Sequence, residues 1–329
     1  MKEIQINELT DFKIGHAQDE KGGTGCTVIL CEKGAVAGVD VRGGGPATRE
    51  TDLLNPKNMV EQIHAVTLAG GSAFGLEASC GVMAYLSEHK IGFDMKGIYI
   101  PIVSGACLFD CSVADPKAYP TKKMGYQACQ NASHELSKQG CIGAGTGASV
   151  GKFLGFDKAM KTGLGHAAFQ VGDVMVAAIV AVNACGDVYF ENSEKPIAGI
   201  YDYPKKKRLS TLDVMFENQP IEESCGMNTT IGCILTNAKL TKAQTNKIAS
   251  MAHNGYARTI RPVHTSSDGD TIFAMASQQV EAQPDVVGAL AAKAMAKAIE
   301  NACLYATPMY GLTTYSEICK QPTKRGARP

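Results

Sequence analysis

The chain has no excess of charge. Over 329 residues, Lys+Arg and Asp+Glu each total 32, so the formal net charge is zero. That excludes a nucleic-acid surface built from bulk charge, and no nucleic-acid partner is expected. The first residues, Met1-Lys2-Glu3-Ile4-Gln5-Ile6-Asn7-Glu8, contain no apolar signal region, so a cytoplasmic protein is expected. No apolar run is long enough to cross a bilayer; the longest, around Val174 to Val182, reads as a central strand. No membrane contact is expected. Twelve cysteines include no Cys-x-x-Cys, the closest pairs being Cys26/Cys31 and Cys107/Cys111. Those spacings argue against a zinc site, and no metal or other cofactor is expected. Without an export signal, the thiols are expected to be free and, in apolar runs, buried. No repeat or linker divides the chain, so one domain over residues 1–329 is expected. A 45% hydrophobic and 19% charged composition is enough to build a sizeable core.

The chain is organised around Gly226-Met227-Asn228-Thr229-Thr230-Ile231-Gly232-Cys233-Ile234-Leu235-Thr236. A short apolar run bounded by Gly226 and by Asn237-Ala238-Lys239 reads as a largely buried strand. One reading of Thr229 is a β-former at the head of that strand. The other is a self-cleavage point. The Thr229 hydroxyl attacks the carbonyl of Asn228, the acyl group moves from nitrogen to oxygen, and water releases it. Thr229 is then left with a free α-amine, whose pKa of roughly 7.7–8 lets it take the proton of its own hydroxyl.

A second stretch bears on that choice: His264-Thr265-Ser266-Ser267-Asp268-Gly269-Asp270-Thr271-Ile272-Phe273-Ala274. Two aspartates flank a glycine just before an apolar strand. They read either as a solvated Asp-Gly turn or as carboxylates that orient the Thr229 amine and hydroxyl or hold a proton. A calcium loop is excluded, because the further alternating acids and the distal Glu are missing.

Gly143-Ala144-Gly145-Thr146-Gly147-Ala148-Ser149-Val150-Gly151-Lys152 imitates a phosphate-binding loop, but the spacing fails. Thr146 stands where the first glycine is needed, and Phe153 follows Lys152 where a hydroxyl is needed. What survives is a glycine-rich wall, Gly145 included, whose N–H groups line a carbonyl or carboxylate pocket. Lys152 then anchors substrate or is desolvated; the alternative is a lysine on a surface turn. Asn183 ends a strand and reads by itself as a turn former. Arg42-Gly43-Gly44-Gly45-Pro46 permits close backbone approach, to a ligand or to another strand.

Together these stretches resemble the L-aminopeptidase/D-esterase and β-peptidyl aminopeptidase family. It is a branch of the self-processing N-terminal-nucleophile hydrolases. The nylon-oligomer (aminohexanoate-oligomer) hydrolases look most similar, since they share Asn-Thr-Thr-Ile and His-Thr-x-x-Asp-Gly-Asp-Thr-x-Phe-Ala. The resemblance runs from about Gly38 to the helix before Ala306. It implies an α/β/β/α sandwich, Thr229 as nucleophile, cleavage at Asn228–Thr229 into residues 1–228 and 229–329, and a homotetramer. It also implies Asp268 and Asp270 as the paired acids, Lys152 as the active-site lysine and Asn183 as the group holding the substrate carbonyl oxygen. Phe109 stands where relatives carry a tyrosine whose hydroxyl touches the site, and Arg49-Glu50-Thr51-Asp52 matches a region near it. The implied substrates are short peptides, β-peptides or aminohexanoate oligomers with a free amine. Two alternatives remain. One is an acetyltransferase of the ornithine acetyltransferase type, which also splits before a threonine. The other is an uncleaved binding protein with Gly43–Gly45 and Gly143–Gly151 lining its pocket.

The remaining expectations concern elements. Glu32-Lys33-Gly34 signals a hairpin between Cys26–Cys31 and Ala35–Val41. Ser72 is expected to cap a helix with Phe74, Ala78, Val82 and Leu86 on its apolar face. Pro101 marks an edge or bulge in Ile98–Val103. Helices are expected over 123–138, 209–218, 241–257 (a Thr241/Gln244 capping box) and 285–304. Two strands are expected to meet at Val171-Gly172-Asp173. Residues 189–228 read as a loose approach to the cleavage point, with Lys205–Arg208 a solvated basic face, and 321–329 as a disordered tail.

Overall fold

The computed structural model describes residues 1–217 and 228–320. Ten strands form its main sheet: β1 (Lys2–Ile4), β2 (Lys13–Asp19), β3 (Thr24–Val41), β4 (Ala47–Arg49), β5 (Gln62–Ala69), β6 (Val103–Cys107), β7 (Leu164–Val171), β8 (Val174–Ala181), β9 (Ile231–Lys239) and β10 (Thr271–Glu281). Their order is β1-β7-β8-β9-β10-β3-β5-β6-β4, with β2 also paired to β3.

Strand β3 makes this one sheet into two layers. The expected hairpin at Glu32-Lys33-Gly34 is absent; the chain runs straight through it as an 18-residue strand. Thr24–Leu30 pairs with β2, and Cys26–Leu30 also with β5, while Val36–Val41 pairs with β10. Between Leu30 and Ala35 the ladder to β5 slips, and Gly34 takes φ 84° there. The triplet has turn chemistry, but flanking residues on both sides are buried in ladders, so the glycine absorbs a bulge and a bend rather than a reversal.

The bend stacks the two halves face to face. Ile29, Val66 and Leu68 of one layer share a buried cluster with Ile179, Cys233, Leu235, Phe273 and Met275 of the other. On the outer face of the first layer, Val28, Leu30 and Ala65 pack with Ala78, Val82 and Leu86 of α1 (Ala78–Glu88) and Ala128 of α2 (Lys122–Gln130). Beyond the second layer, Val180, Ile234 and Ile272 pack with Ile248 of α3 (Lys242–Thr259) and with Met295 and Ile299 of α4 (Pro284–Leu304). The result is the expected α/β/β/α sandwich. Alternate residues of β9 serve the two faces, Cys233 and Leu235 inward and Ile234 toward the helices. Both faces are covered, so the sequence reads as continuously apolar.

Helix α3 begins with the expected capping box: Thr241 Oγ1 accepts from Gln244 N, and Gln244 Oε1 from Thr241 N at 2.8 Å. Strands β7 and β8 meet at the expected turn, and a short helix covers Thr211–Glu217. Three further expectations are corrected. Helix α2 stops at Gln130, because Asn131 Nδ2 bonds the carbonyl of His16 at 2.9 Å and Ser133 bridges to Ile14. Ser72 caps nothing: it has φ 54° within a 3-10 turn that begins after Gly71, and Phe74 is exposed while Ala78, Val82 and Leu86 are buried. The run at Pro101 is two elements, Ile98–Ile100 in a small hairpin with Phe93–Met95, and β6 inside the main sheet.

The expected loose approach is corrected as well: it carries short strands at Pro196–Ala198 and Tyr201–Asp202 and buries Ile197, Ala198, Ile200 and Tyr201, while residues 218–227 and the tail (321–329) lie outside the described residues. No helix among the described residues is long and apolar enough to cross a membrane. The described cysteines are free thiols.

Candidate active site

Sheet register alone brings three segments together. In the antiparallel pair β8–β9, Ala181 lies opposite Ile231, so two residues further on Asn183 faces Thr229. In the parallel pair β9–β10, Ile231 lies opposite Thr271, so Gly269 falls beside Thr229. An isolated bridge between Asn228 and Asp268 extends that ladder. The site therefore sits where the central strands begin and end, and its main-chain groups are held by the sheet's own hydrogen bonding.

Thr229 and Asn228 are both buried. The Thr229 amide donates to the Asn183 carbonyl at 2.9 Å. The Thr229 hydroxyl donates to the carbonyl oxygen of Asn228, the peptide bond it would attack. One donor serves both oxygens: Gly269 N–H reaches Thr229 Oγ1 at 3.1 Å and the Asn228 carbonyl at 3.3 Å. A Cβ added to Gly269 would lie 2.7 Å from Thr229 Oγ1, so only glycine lets the backbone come this close.

The two aspartates are bound differently. Asp270 spends both oxygens: Oδ1 accepts from Thr230 N at 2.7 Å, and Oδ2 from His264 N at 3.1 Å and His264 Nδ1 at 2.8 Å. Asp268 spends one: Oδ2 accepts from the Thr265 amide and hydroxyl, both at 2.7 Å, while Oδ1 is buried with no hydrogen-bond partner. Burial, and then the charge of Asp270, push Asp268 up to about 6; Thr265 and Lys152 pull the other way.

Lys152 and Asn183 form a second unit. Lys152 Nζ donates to Asn183 Oδ1 at 2.8 Å and to its carbonyl at 3.1 Å. Asn183 Oδ1 also accepts from Ser149 N at 3.1 Å, which assigns the other terminus as the amide donor. That Nδ2 donates to the Phe109 carbonyl at 2.8 Å and has a second hydrogen. Desolvation lowers Lys152 to about 7, against the opposing pull of Cys185, Asp268 and Asp110.

Thr229, Asn183, Lys152, Asp268 and Asp270 are thus joined directly or through one neighbour. Phe109 takes part through its main-chain carbonyl. Gly145 belongs to the frame behind the wall, where its carbonyl bonds Lys161 Nζ at 3.1 Å. Arg49 is turned toward α1, onto Cys80 and Met83; the strip nearest Gly269 is instead Gly45-Pro46. Gly43 and Gly45 donate to the carbonyls of Asp270 and Asp268.

Sequence reasoning missed several participants. Lys161 is fully buried, its Nζ on the carbonyls of Gly145, Ala148 and Thr162, so a lysine underpins the glycine wall. His264 and Thr265 hold the two acids, and Tyr256 donates its hydroxyl to the Thr230 carbonyl at 3.2 Å. His264 and Thr265 lay inside a motif already singled out; for Lys161 and Tyr256 the sequence carries no signal. No group of three or more His, Cys, Asp or Glu among the described residues is arranged to hold a metal ion.

Comparison with known proteins gives the family. Residues 5–316 match the model of peptidase family S58. The chain belongs to that family. An uncharacterized aminopeptidase of Mycobacterium leprae is 38% identical, covering 94% of this chain and 92% of its own. A 6-aminohexanoate-oligomer endohydrolase of Paenarthrobacter ureafaciens is 34% identical, covering 85% of this chain and 77% of its own. Among solved structures, the L-aminopeptidase D-Ala-esterase/amidase of Ochrobactrum anthropi, a variant of the Ntn hydrolase fold, superposes with a TM-score of 0.69. That match covers 93% of this chain and 87% of the other at 17% identity, which shows a shared fold. This S58 member is a hydrolase acting on amide bonds; the acetyltransferase and binding-protein alternatives are not favoured.

Proposed function

We propose that Thr229 is the nucleophile of this S58 hydrolase and that the chain cuts itself between Asn228 and Thr229. The observation that carries this reading is the Thr229 hydroxyl held on the Asn228 carbonyl, with Gly269 N–H on both oxygens. Attack by Oγ1 forms the Oγ1–C bond and breaks the C–N bond. The freed nitrogen takes a proton, and water hydrolyses the ester to a carboxylate on Asn228 and a free hydroxyl on Thr229. Residues 1–228 and 229–329 are the products.

The same groups then serve substrate. The new α-amine lies on the Asn183 carbonyl beside Lys152. An α-amine ordinarily has a pKa of roughly 7.7–8, so near neutral pH its neutral form is available to take the hydroxyl proton. Gly269 N–H, relieved of the Asn228 carbonyl, and the second hydrogen of Asn183 Nδ2 receive the substrate's oxyanion. Losing one such donor typically lowers kcat about a hundred- to thousand-fold. The acyl group passes to Thr229, the substrate amine leaves with the proton, and water completes the cycle. Asp268, with a free buried oxygen, is the acid that meets the amine; Asp270 acts from behind.

Short peptides, β-peptides or aminohexanoate oligomers with a free amine are the substrates this reading selects. Support comes from the aminopeptidase and oligomer endohydrolase named among the relatives. A cytoplasmic homotetramer of cleaved chains is the assembly that goes with it. The test is intact mass under denaturing conditions, for wild type and Thr229→Ala, followed by turnover of each substrate class. Two fragments and activity in the wild type, with one inactive chain in the variant, are expected. A variant that still cleaves or turns over ends the proposal.

A further inference from the structure

His264 lies behind the site and touches neither Thr229 nor the cleavage point, yet two contacts to the next peptide pass through it. Its main-chain N–H and its Nδ1 both bond Asp270 Oδ2, and the other Asp270 oxygen holds the Thr230 amide. Its ring stacks on Tyr256 at 5.9 Å, and the Tyr256 hydroxyl holds the Thr230 carbonyl. The Thr230 carbonyl also receives the Thr271 amide at 3.2 Å, so His264 bears on the Thr230 amide through Asp270 and shares the hold on the carbonyl through Tyr256.

That arrangement is not what folding alone asks for. His264 has φ 58°, a left-handed conformation unfavourable to a residue with a Cβ. Nδ1 donates to the Asp270 carboxylate, and the other ring nitrogen, Nε2, is buried without a partner. His253, 4.8 Å away, repeats the pattern: its Nε2 donates to the Asp40 carbonyl, and its Nδ1 is buried and unpartnered. Two unmatched buried nitrogens and a strained backbone destabilise the fold, and what they accompany is the fixed placement of Asp270 and Tyr256.

We propose that His264 is a positioning residue for the hydrolytic reaction, fixing the Thr230 peptide through Asp270 and Tyr256 and so aiming the Thr229 hydroxyl. This rests on the reading of Thr229 as nucleophile. His264 meets no substrate atom, so its loss lowers kcat and leaves KM nearly unmoved. Self-cleavage slows in parallel, since both reactions use the same hydroxyl.

Two variants separate the side-chain donor from the backbone. His264→Gly keeps the left-handed conformation and the main-chain bond to Asp270 but removes the ring. His264→Asn also suits that conformation and restores an N–H donor near the position of Nδ1. Steady-state kinetics are measured below each variant's unfolding transition. The glycine variant is expected to lose about ten- to hundred-fold in kcat, the scale of a small misplacement, with KM within about twofold. The asparagine variant is expected to regain most of that. An undiminished kcat in the glycine variant, a rise confined to KM, or an asparagine variant as impaired as glycine overturns the inference. If the glycine variant does not fold, Tyr256→Phe decides. It keeps the stacked ring and drops only the hydroxyl on Thr230, and an unchanged kcat overturns the clamp. A wild-type chain that stays intact and inactive sinks the Thr229 reading and this inference with it. A wild-type chain that splits and turns over, beside a fully active glycine variant, sinks the inference alone.

Discussion

Lys152 holds Asn183 at both ends, its Nζ on the side-chain Oδ1 at 2.8 Å and on the main-chain carbonyl at 3.1 Å. The carbonyl it touches is the one that receives the Thr229 amide. Any change at Lys152 therefore reaches the Asn183 side chain and the Thr229 nitrogen together.

Burial lowers Lys152 to about 7 in the folded chain, against about 10.4 unfolded. Between those values the unfolded chain binds more protons, so this residue makes stability rise with pH across that window. Lys152→Met should remove that slope, raise the melting temperature at pH 6 relative to wild type, and lower kcat by about a hundredfold or more. Thermal scans from pH 6 to 10 beside kinetics check it; a variant no more stable at pH 6 contradicts the assignment.

Asp268 is raised to about 6, first by burial and then by Asp270. Here the folded state binds more protons between about 4 and 6, so the residue contributes stability at low pH that is lost as pH rises through its folded value. Asp268→Asn should flatten the acid limb of the kcat/KM profile and make the protein no less stable at neutral pH. An acid limb that persists unchanged in the variant would assign it to another group.

Phe109 supplies the carbonyl that holds Asn183 Nδ2. Phe109→Tyr leaves that main-chain bond in place and adds a hydroxyl. Self-cleavage should proceed at the wild-type rate, while kcat/KM on an aminohexanoate dimer should rise about two- to tenfold, the worth of one hydrogen bond. Time-resolved gels and progress curves separate the two effects.

Lys161 satisfies three buried carbonyls behind the glycine wall. Lys161→Met should destabilise the protein by about 3 kcal/mol, because those carbonyls lose their donor in a dry interior. Chemical denaturation measures it. A loss near zero would mean that water replaces the amine.

Much of this was readable in one dimension. Short, nearly continuous apolar runs located β8, β9 and β10, and the Thr241/Gln244 box located the start of α3. Asn183, Thr229 and the Asp268–Asp270 pair lie at strand ends, where register brings them together. What escaped depends on partners distant in the chain. Glu32-Lys33-Gly34 has the composition of a hairpin, and only the partners of β3 on either side make it a bend. Helix α2 is cut short by residues 14 and 16. Phe109 acts through a carbonyl that every residue possesses, and Lys161 looks like any surface lysine until three carbonyls surround it.

The position of β9 and β10 has a last consequence. They are neighbours in the sheet, with β8 on one side and β3 on the other. A cut before Thr229 would release a piece whose two strands are both already zipped, on their outer edges, to the other piece. Neither fragment could leave without tearing the middle out of a ten-stranded sheet. The severed protein should melt once, as a unit, and remixing fragments from two differently labelled preparations under native conditions should give no exchange.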